Sequence, residues 1–298
     1  MIKILVRLVR SWNNKFMYVS IDIGGTKTRI ASSKNLRDLY KVKKFPSSWN
    51  LKEEKQNILR GIDEVSDGKS VRCICIGVPG RVDYLSEKFF KLPNYSVLND
   101  FPFDFLVGGK YSKTKLLVEN DAALAGLGEA MLGAGLTSKV TAYITLSTGV
   151  GGVRVEKMKK SVNYYYSEPG HQIVMMDGRY NSSTGHRGSL ESYISGRAFE
   201  DIYGVKPEKC EVEAFWLDYA RYLAVGIHNV SAMWVPDLVV LGGSLSKKFP
   251  FYKSELRRLL STEKFLSIPK IVTAEFSDDA GLIGGFVKIG LSKIITKQ

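Results

Sequence analysis

The chain has 298 residues, of which 44% are hydrophobic and 24% charged, the ordinary proportions of a globular protein. No apolar run approaches the roughly 20 residues of a membrane-spanning helix, so we expect no membrane partner. Lys and Arg exceed Asp and Glu by 13, but the basic residues are scattered and no nucleic-acid-binding motif accompanies them. We therefore expect no nucleic-acid partner, and we interpret the excess as a basic proteome or a site for polyanionic nucleotides.

The first sixteen residues form a basic, partly amphipathic segment. Arg7 and Arg10 interrupt the apolar stretch that a signal peptide would need. A helix lying on a membrane surface is one interpretation. We prefer an extension that precedes the folded chain, because Met17 directly precedes the first predicted strand.

Residues 17–32, MYVSIDIGGTKTRIAS, predict two strands joined by a tight turn. The turn residues are Gly24, Gly25, Thr26 and Lys27. The glycines allow positive φ and close backbone approach, so that successive N–H groups would face an anion. The threonine adds a hydroxyl and the lysine a positive charge, while Asp22 is placed to hold Mg²⁺ directly or through water. No helix follows, which excludes a Walker or Rossmann loop, although a plain hairpin would also explain the glycines.

Cysteine usage favours a reducing compartment. Cys73 and Cys75 lie two residues apart and so point to one face of a predicted strand, and Cys210 stands alone. We interpret them as core thiols in preference to a metal clip, and we expect a cytoplasmic protein.

A second turn of the same kind lies in residues 141–156, TAYITLSTGVGGVRVE, where Thr148, Gly149 and Gly151 repeat the combination of hydroxyl and glycines. Two such hairpins predict a duplicated lobe and could hold a triphosphate from both sides. A buried strand then ends at Gly242, Gly243 and Ser244, where the backbone would pass close to a base or ribose. Near the C-terminus, Gly281, Gly284 and Gly285 indicate either close helix packing or a place beside the nucleotide.

Seven motifs in order resemble the ROK family of sugar kinases, from about residue 17 to about residue 290: DIGGTKT, GVPG, VENDA, STGVGG, EPGH, SLESYISG and VVLGGS. The resemblance implies an α/β fold with two lobes of the ribonuclease-H-like, actin-like ATPase type and an active site in the interlobe cleft. It implies ATP and Mg²⁺ as cofactors and a sugar as partner, and it favours a homodimer. It places the lobes at 17–118 with 278–298 and at 119–277, after the 1–16 extension.

By the same resemblance, Asp121 is the general base toward the sugar 6-hydroxyl, although an Asp at a helix start is also the usual N-cap. A sugar hydroxyl is too weak an acid to ionise beforehand, so the base accepts its proton as the phosphorus–oxygen bond forms. The two glycine hairpins correspond to the phosphate-binding turns of the family and residues 242–244 to its adenosine-binding turn. The implied sugar contacts are Gly80, Asn94, Asn120, Asp121, Glu168, His171 and Glu191.

One departure from the family concerns a structural zinc. Many members hold zinc with the histidine of EPGH and three cysteines, whereas this chain has Ser182, Thr184 and Ser189 in the cysteine positions. Hydroxyls are poor zinc ligands, so we expect no structural zinc. His186 could supply a nitrogen, but a lone histidine in a polar loop is more often solvated.

The resemblance predicts a glucokinase-like enzyme that phosphorylates a hexose at the 6-hydroxyl, with glucose the first choice. N-acetylmannosamine, N-acetylglucosamine and fructose are the alternative substrates. Some members of the group are transcriptional repressors, but only sixteen residues precede the first strand, too few for a DNA-binding domain. A non-catalytic, sugar-responsive regulator is the alternative of another class.

Overall fold

The structure is a computed structural model that describes residues 16–181 and 185–295, so most of the predicted extension lies outside the described residues. The strands are β1 (Phe16–Ile23), β2 (Lys27–Ser33), β3 (Lys41–Pro46), β4 (Ser70–Val78), β5 (Arg81–Asp83), β6 (Lys88–Lys91), β7 (Lys115–Asn120), β8 (Val140–Leu146), β9 (Val150–Lys157), β10 (Val162–Ser167), β11 (Tyr180–Asn181), β12 (His186–Arg187), β13 (Leu238–Gly242) and β14 (Lys270–Thr273). The helices are α1 (Leu51–Ser66), α2 (Asp121–Leu132), α3 (Glu191–Ile194), α4 (Gly196–Tyr203), α5 (Glu213–Trp234), α6 (Phe249–Leu260) and α7 (Ala280–Ile295). Within the described ranges, no helix is both long and apolar enough to cross a bilayer.

Two five-stranded sheets share one topology. The first has the order β3-β2-β1-β4-β7 and the second the order β10-β9-β8-β13-β14. In each, an antiparallel meander of three strands is followed by two strands that run parallel to the first. Parallel neighbours need a crossover, which α1 provides in the first sheet and α6 provides between β13 and β14. The repeated order confirms the predicted α/β class and the predicted duplication.

The chain divides into two compact units, one reaching to Met131 and resuming at Asp279, and the other spanning Leu132–Asp278. We had placed the boundaries at 118/119 and 277/278, so residues 119–131 belong to the first unit instead. The reason is hydrogen bonding and packing: β7 pairs with β4 in the first sheet, and α2 lies against α7.

Glycines make the contact between α2 and α7 possible. A Cβ on Gly128 would lie 2.9 Å from the backbone nitrogen of Gly284, and a Cβ on Gly284 would contact the carbonyl oxygen of Leu124. Of the two interpretations of the C-terminal glycines, close helix packing is therefore correct for Gly284. The three cysteines are free and buried, which confirms their interpretation as core thiols.

Lys157, the last residue of β9, is a buried cation. It is 3% exposed, and its Nζ donates to the carbonyl oxygens of Gly135 at 2.6 Å and Leu136 at 2.8 Å. Burial lowers the pKa of Lys157 from 10.5 to about 8. Between these two pH values the unfolded chain binds a proton that the folded chain has lost, so the free energy of unfolding rises with pH.

We expect this titration to appear as a difference between the wild type and Lys157→Met. From about pH 8 to about pH 10.5, the free energy of unfolding of the wild type should rise relative to that of the variant by up to about 3 kcal/mol. Urea unfolding at several pH values measures both, and the titrations of all other groups cancel in the difference. A difference that does not change with pH would contradict the assignment.

Candidate active site

The first glycine turn connects β1 and β2. The N–H of Gly24 donates to the carbonyl oxygen of Lys27 at 2.9 Å, and Thr26 and Lys27 are exposed. The sequence predicts a positive φ as one reason for the glycines of this turn, but neither Gly24 nor Gly25 has one. Gly25 is needed because a Cβ there would contact the carbonyl oxygen of Asn94. The close approach brings the loop that carries Asn94, an implied sugar contact, directly against the predicted phosphate turn.

Asp22 is buried near the end of β1, directly opposite Arg29 on β2. The guanidinium of Arg29 donates to Oδ2 of Asp22 at 2.5 Å. Burial raises the pKa of the Asp22 carboxyl above its ordinary value, Arg29 counteracts this, and Asp279 adds to it. Our sequence reasoning missed Arg29, although the register of a tight hairpin places it across from Asp22.

This carboxylate fits a magnesium site of the usual kind. Mg²⁺ keeps several of its waters and takes one or two carboxylates together with phosphate oxygens. Arg29 engages Oδ2 of Asp22, so a hydrated cation beside the glycine turn would have to be held through Oδ1.

Asn120 and Asp121 stand where β7 passes into α2. Oδ1 of Asn120 accepts the N–H of Ala123 at 2.9 Å, so Asn120 is the N-cap of this helix. Asp121 is the first helical residue, and its Oδ1 accepts the N–H of Ala122 at 2.7 Å. The capping function considered for Asp121 therefore belongs to its neighbour.

The predicted sugar residues of the first unit form one cluster. Nδ2 of Asn120 donates to the carbonyl oxygen of Gly80 at 3.0 Å. A Cβ on Gly80 would contact the carbonyl oxygen of Lys91, so the loop leading to Asn94 packs against Gly80. We call Gly80, Asn94, Asn120 and Asp121 the sugar-side cluster.

A buried carboxylate that our sequence reasoning missed holds the end of β7. Glu119 is 5% exposed, and Lys288 of α7 donates to its Oε2 at 2.8 Å. The hydroxyl of Tyr84 donates to Oε1 at 2.6 Å, and so does the N–H of Asn120 at 3.0 Å. Glu119 therefore fixes the backbone just before the cluster.

In the second unit, the turn between β8 and β9 lies against α3 and α4. The N–H of Ser147 donates to the carbonyl oxygen of Gly149 at 3.0 Å, and the N–H of Gly196 donates to the carbonyl oxygen of Ser147 at 2.7 Å. The N–H of Val150 donates to Oε2 of Glu191 at 2.8 Å. A predicted sugar ligand thus holds the backbone of the turn that contains Thr148, Gly149 and Gly151.

The EPGH segment lies on the same turn. A Cβ on Gly170 would contact the carbonyl oxygen of Val150, and a Cβ on Gly152 would lie 2.8 Å from the ring of Pro169. Glu168 and His171 on either side are exposed, and the carboxylate of Glu168 accepts the hydroxyl of Tyr166.

The third glycine turn, at residues 242–244, also lies beside the turn between β8 and β9. Because β8 and β13 are parallel neighbours, Gly242 lies beside Thr145. Gly243 has φ of +81°, and a Cβ there would contact the carbonyl oxygen of Leu146. The turn at residues 242–244, with the half-buried Ser244, therefore adjoins the second glycine turn at the carboxyl ends of two parallel strands, where ligands bind in α/β proteins.

The altered zinc loop is held by hydrogen bonds. Ser189 is buried and its hydroxyl pairs with that of Ser192 at 2.8 Å, whereas Ser182 and Thr184 lie outside the described residues. Asn181 donates to Ser189 at 3.3 Å and to Oε1 of Glu191 at 3.4 Å. The exposed His186 pairs with Asn181 in the β11–β12 ribbon. The lack of a structural zinc stays a prediction.

A polar cavity of about 70 Å³ opens beside Glu191 in the second unit. Its lining includes Thr148, Arg179, Asn181 and Arg197. Arg179 and Arg197 were not among the residues predicted from the motifs, so nothing in the sequence indicated that they line this cavity.

Comparison with known proteins relates this architecture to sugar kinases. The model of the ROK family matches residues 18–289. A glucokinase of Halalkalibacterium halodurans is 26% identical over 90% of this chain and 93% of that protein. An N-acetyl-D-glucosamine kinase of Yersinia pseudotuberculosis is 27% identical over 90% and 97%. A crystal structure of a ROK family glucokinase from Streptomyces griseus with glucose and AMPPNP has a TM-score of 0.75 at 22% identity, covering 90% of this chain and 97% of that one. The last likeness confirms the predicted fold class.

Proposed function

The chain belongs to the ROK family, and from this premise we propose that it is a sugar kinase that transfers the γ-phosphoryl group of ATP to the 6-hydroxyl of a hexose. The kinases named among its relatives act on glucose and on N-acetyl-D-glucosamine. Sugar phosphorylation is the activity that these relatives have in common.

One observation carries the proposal for ATP. The two glycine turns occupy equivalent places, since each joins the first and second strands of a sheet of the same topology. Each turn combines an exposed threonine hydroxyl with glycine backbone N–H groups, and such donors can bind the oxygens of a polyphosphate chain. In the second unit, the turn at 242–244 adjoins the phosphate turn, which supports a place for the adenosine there.

Asp121 is the residue we propose as general base. In the reaction, the oxygen of the 6-hydroxyl bonds to the γ-phosphorus, the bond to the leaving ADP oxygen breaks, and the hydroxyl proton passes to the carboxylate. The support for this role is that Asn120 caps α2, so the fold does not require Asp121 as a cap. When bound, Mg²⁺ supplies charge neutralisation to the phosphate oxygens, and Asp22 would hold it through water.

Polar groups beside the glycine turn of each unit are proposed as sugar ligands. In the first unit, Asn120 uses one acceptor site for Ala123 and one donor hydrogen for Gly80, so its amide keeps capacity for a ligand. In the second unit, Glu168, His171 and Glu191 flank the glycine turn, and carboxylates accept hydrogen bonds from pairs of neighbouring hydroxyls.

Glucose is our proposed substrate, with N-acetylglucosamine, N-acetylmannosamine and fructose as the alternatives. Discrimination among them depends on the substituents at C1 and C2, near the loop in which hydroxyl residues replace the cysteines of the family. Asn181 bonds to Glu191 from this loop, so the loop contributes to the orientation of a sugar-binding carboxylate.

A coupled assay of ADP release tests the proposal across a panel of hexoses and N-acetylhexosamines with Mg²⁺ and ATP. We expect sugar-dependent ADP release that is highest with glucose. A higher kcat/KM with an N-acetylhexosamine would replace glucose as the substrate. Sugar binding without ADP release from any member of the panel would favour the alternative of a non-catalytic regulator.

A further inference from the structure

Trp49 is an exposed aromatic residue in the short segment between β3 and α1. Its side chain is 54% exposed, yet its ring packs edge-on against Tyr95 with the centroids 5.5 Å apart and an interplanar angle of 65°. Tyr95 is fully buried, and its hydroxyl donates to the carbonyl oxygen of Ser48. Single exposed aromatics are common on protein surfaces, but this indole is supported by a buried residue.

The segment that carries Trp49 is fixed to the first phosphate turn. The N–H of Ser47 donates to the carbonyl oxygen of Thr26 at 3.1 Å. The hydroxyl of Ser47 donates to the carbonyl oxygen of Gly24 at 2.6 Å. Glu54, which is fully buried, accepts the N–H of Ser48 at 2.8 Å. These bonds hold the backbone on either side of the indole.

The same contacts connect Trp49 with the sugar-side cluster. Tyr95, on which the indole packs, directly follows Asn94, and the carbonyl oxygen of Asn94 contacts Gly25 of the phosphate turn. The loop before Asn94 packs on Gly80, whose carbonyl oxygen accepts the amide of Asn120. Trp49 therefore stands where the predicted phosphate turn meets the loop that carries Asn94, the place at which the proposed function puts the hexose.

We infer that Trp49 contacts the sugar and selects among hexoses, an inference that rests on the proposed function. A pyranose has two kinds of surface, a rim of hydroxyls and a face of C–H groups. Every predicted sugar ligand is polar and serves the rim. The indole would pack against the C–H face, which an aromatic ring desolvates without needing a hydrogen bond. An axial hydroxyl on that face would lose its water against the ring, so Trp49 favours sugars whose hydroxyls are equatorial.

Steady-state kinetics of Trp49→Ala and Trp49→Phe test the inference. We expect the KM for sugar to rise about ten-fold in Trp49→Ala and less in Trp49→Phe, with the KM for ATP unchanged within about two-fold. The preference for glucose over epimers with an axial hydroxyl should fall in Trp49→Ala. Phe265→Ala, which removes another exposed aromatic ring, is the matched control and should leave both constants unchanged.

A binding measurement without ATP completes the test. Glucose should change the intrinsic fluorescence of the wild type, and this change should be lost in Trp49→Phe, which retains the other tryptophans. An unchanged sugar KM in Trp49→Ala, or equal rises in the KM values for sugar and ATP, would overturn the inference and leave the kinase proposal intact. A wild-type protein without sugar-dependent ADP release would overturn both.

Discussion

Replacing Asp121 by Asn is expected to lower kcat by roughly 10²–10⁴-fold, the usual contribution of a general base. The amide cannot take the proton of the 6-hydroxyl, so the loss falls on the chemical step. Because Asn has the same shape and its oxygen still accepts the N–H of Ala122, the start of α2 should not change. The KM for sugar and the KM for ATP should therefore stay within about three-fold of the wild type.

The control for this variant is Asp104→Asn, which neutralises an exposed aspartate of the same unit. Calorimetric titration should show that Asp121→Asn still binds sugar and ATP, while the coupled assay shows the loss of turnover. Turnover close to that of the wild type in Asp121→Asn would remove Asp121 from the mechanism.

Replacing Glu191 by Ala is expected to lower kcat/KM for sugar by roughly 10²–10³-fold, because two kinds of hydrogen bond are lost together. One is the proposed bond from the sugar hydroxyls to a charged carboxylate. The other is the bond from the N–H of Val150, which holds the second glycine turn, the one proposed to bind phosphate. The KM for ATP should rise as well, because the turn loses that bond.

Glu191→Gln separates the two effects. Its amide oxygen still accepts the N–H of Val150, so the KM for ATP should stay near the wild-type value, while kcat/KM for sugar falls by roughly 10–10²-fold with the lost charge. Glu200→Gln, on the exposed side of α4, is the control. Equal values of the KM for ATP in Glu191→Ala, Glu191→Gln and the wild type would show that the bond to Val150 does not support the nucleotide site.

The sequence supported the identification of elements whose signals are local. Each glycine hairpin can be recognised from a few consecutive residues, because two apolar strands flank a tight turn. The occurrence of two similar hairpins predicted the duplication, which the repeated strand order confirms. The paired cysteines of β4 were recognised as core residues from the period of two in a strand.

Contacts between distant segments were not predictable in this way. Glu191 lies 41 positions after Val150, and Lys288 lies 169 positions after Glu119, yet each pair is joined by a hydrogen bond. The boundary of the first unit also depended on such contacts, because α2 packs against a helix from the other end of the chain. Periodicity describes which face of an element is buried but not which remote element covers it.

The sequence by itself determined the two glycine hairpins and placed Asp22 beside the first of them, since these depend on turn chemistry and on short-range periodicity, whereas the α/β class and the other candidate carboxylates came from the resemblance to the ROK family. Only the tertiary structure decided that Glu191 bonds to the second glycine turn and that Lys288 pairs with Glu119 at the end of β7. The physical reason is that hydrogen bonds and ion pairs act over a few ångströms in space, whereas a sequence records only the distance along the chain.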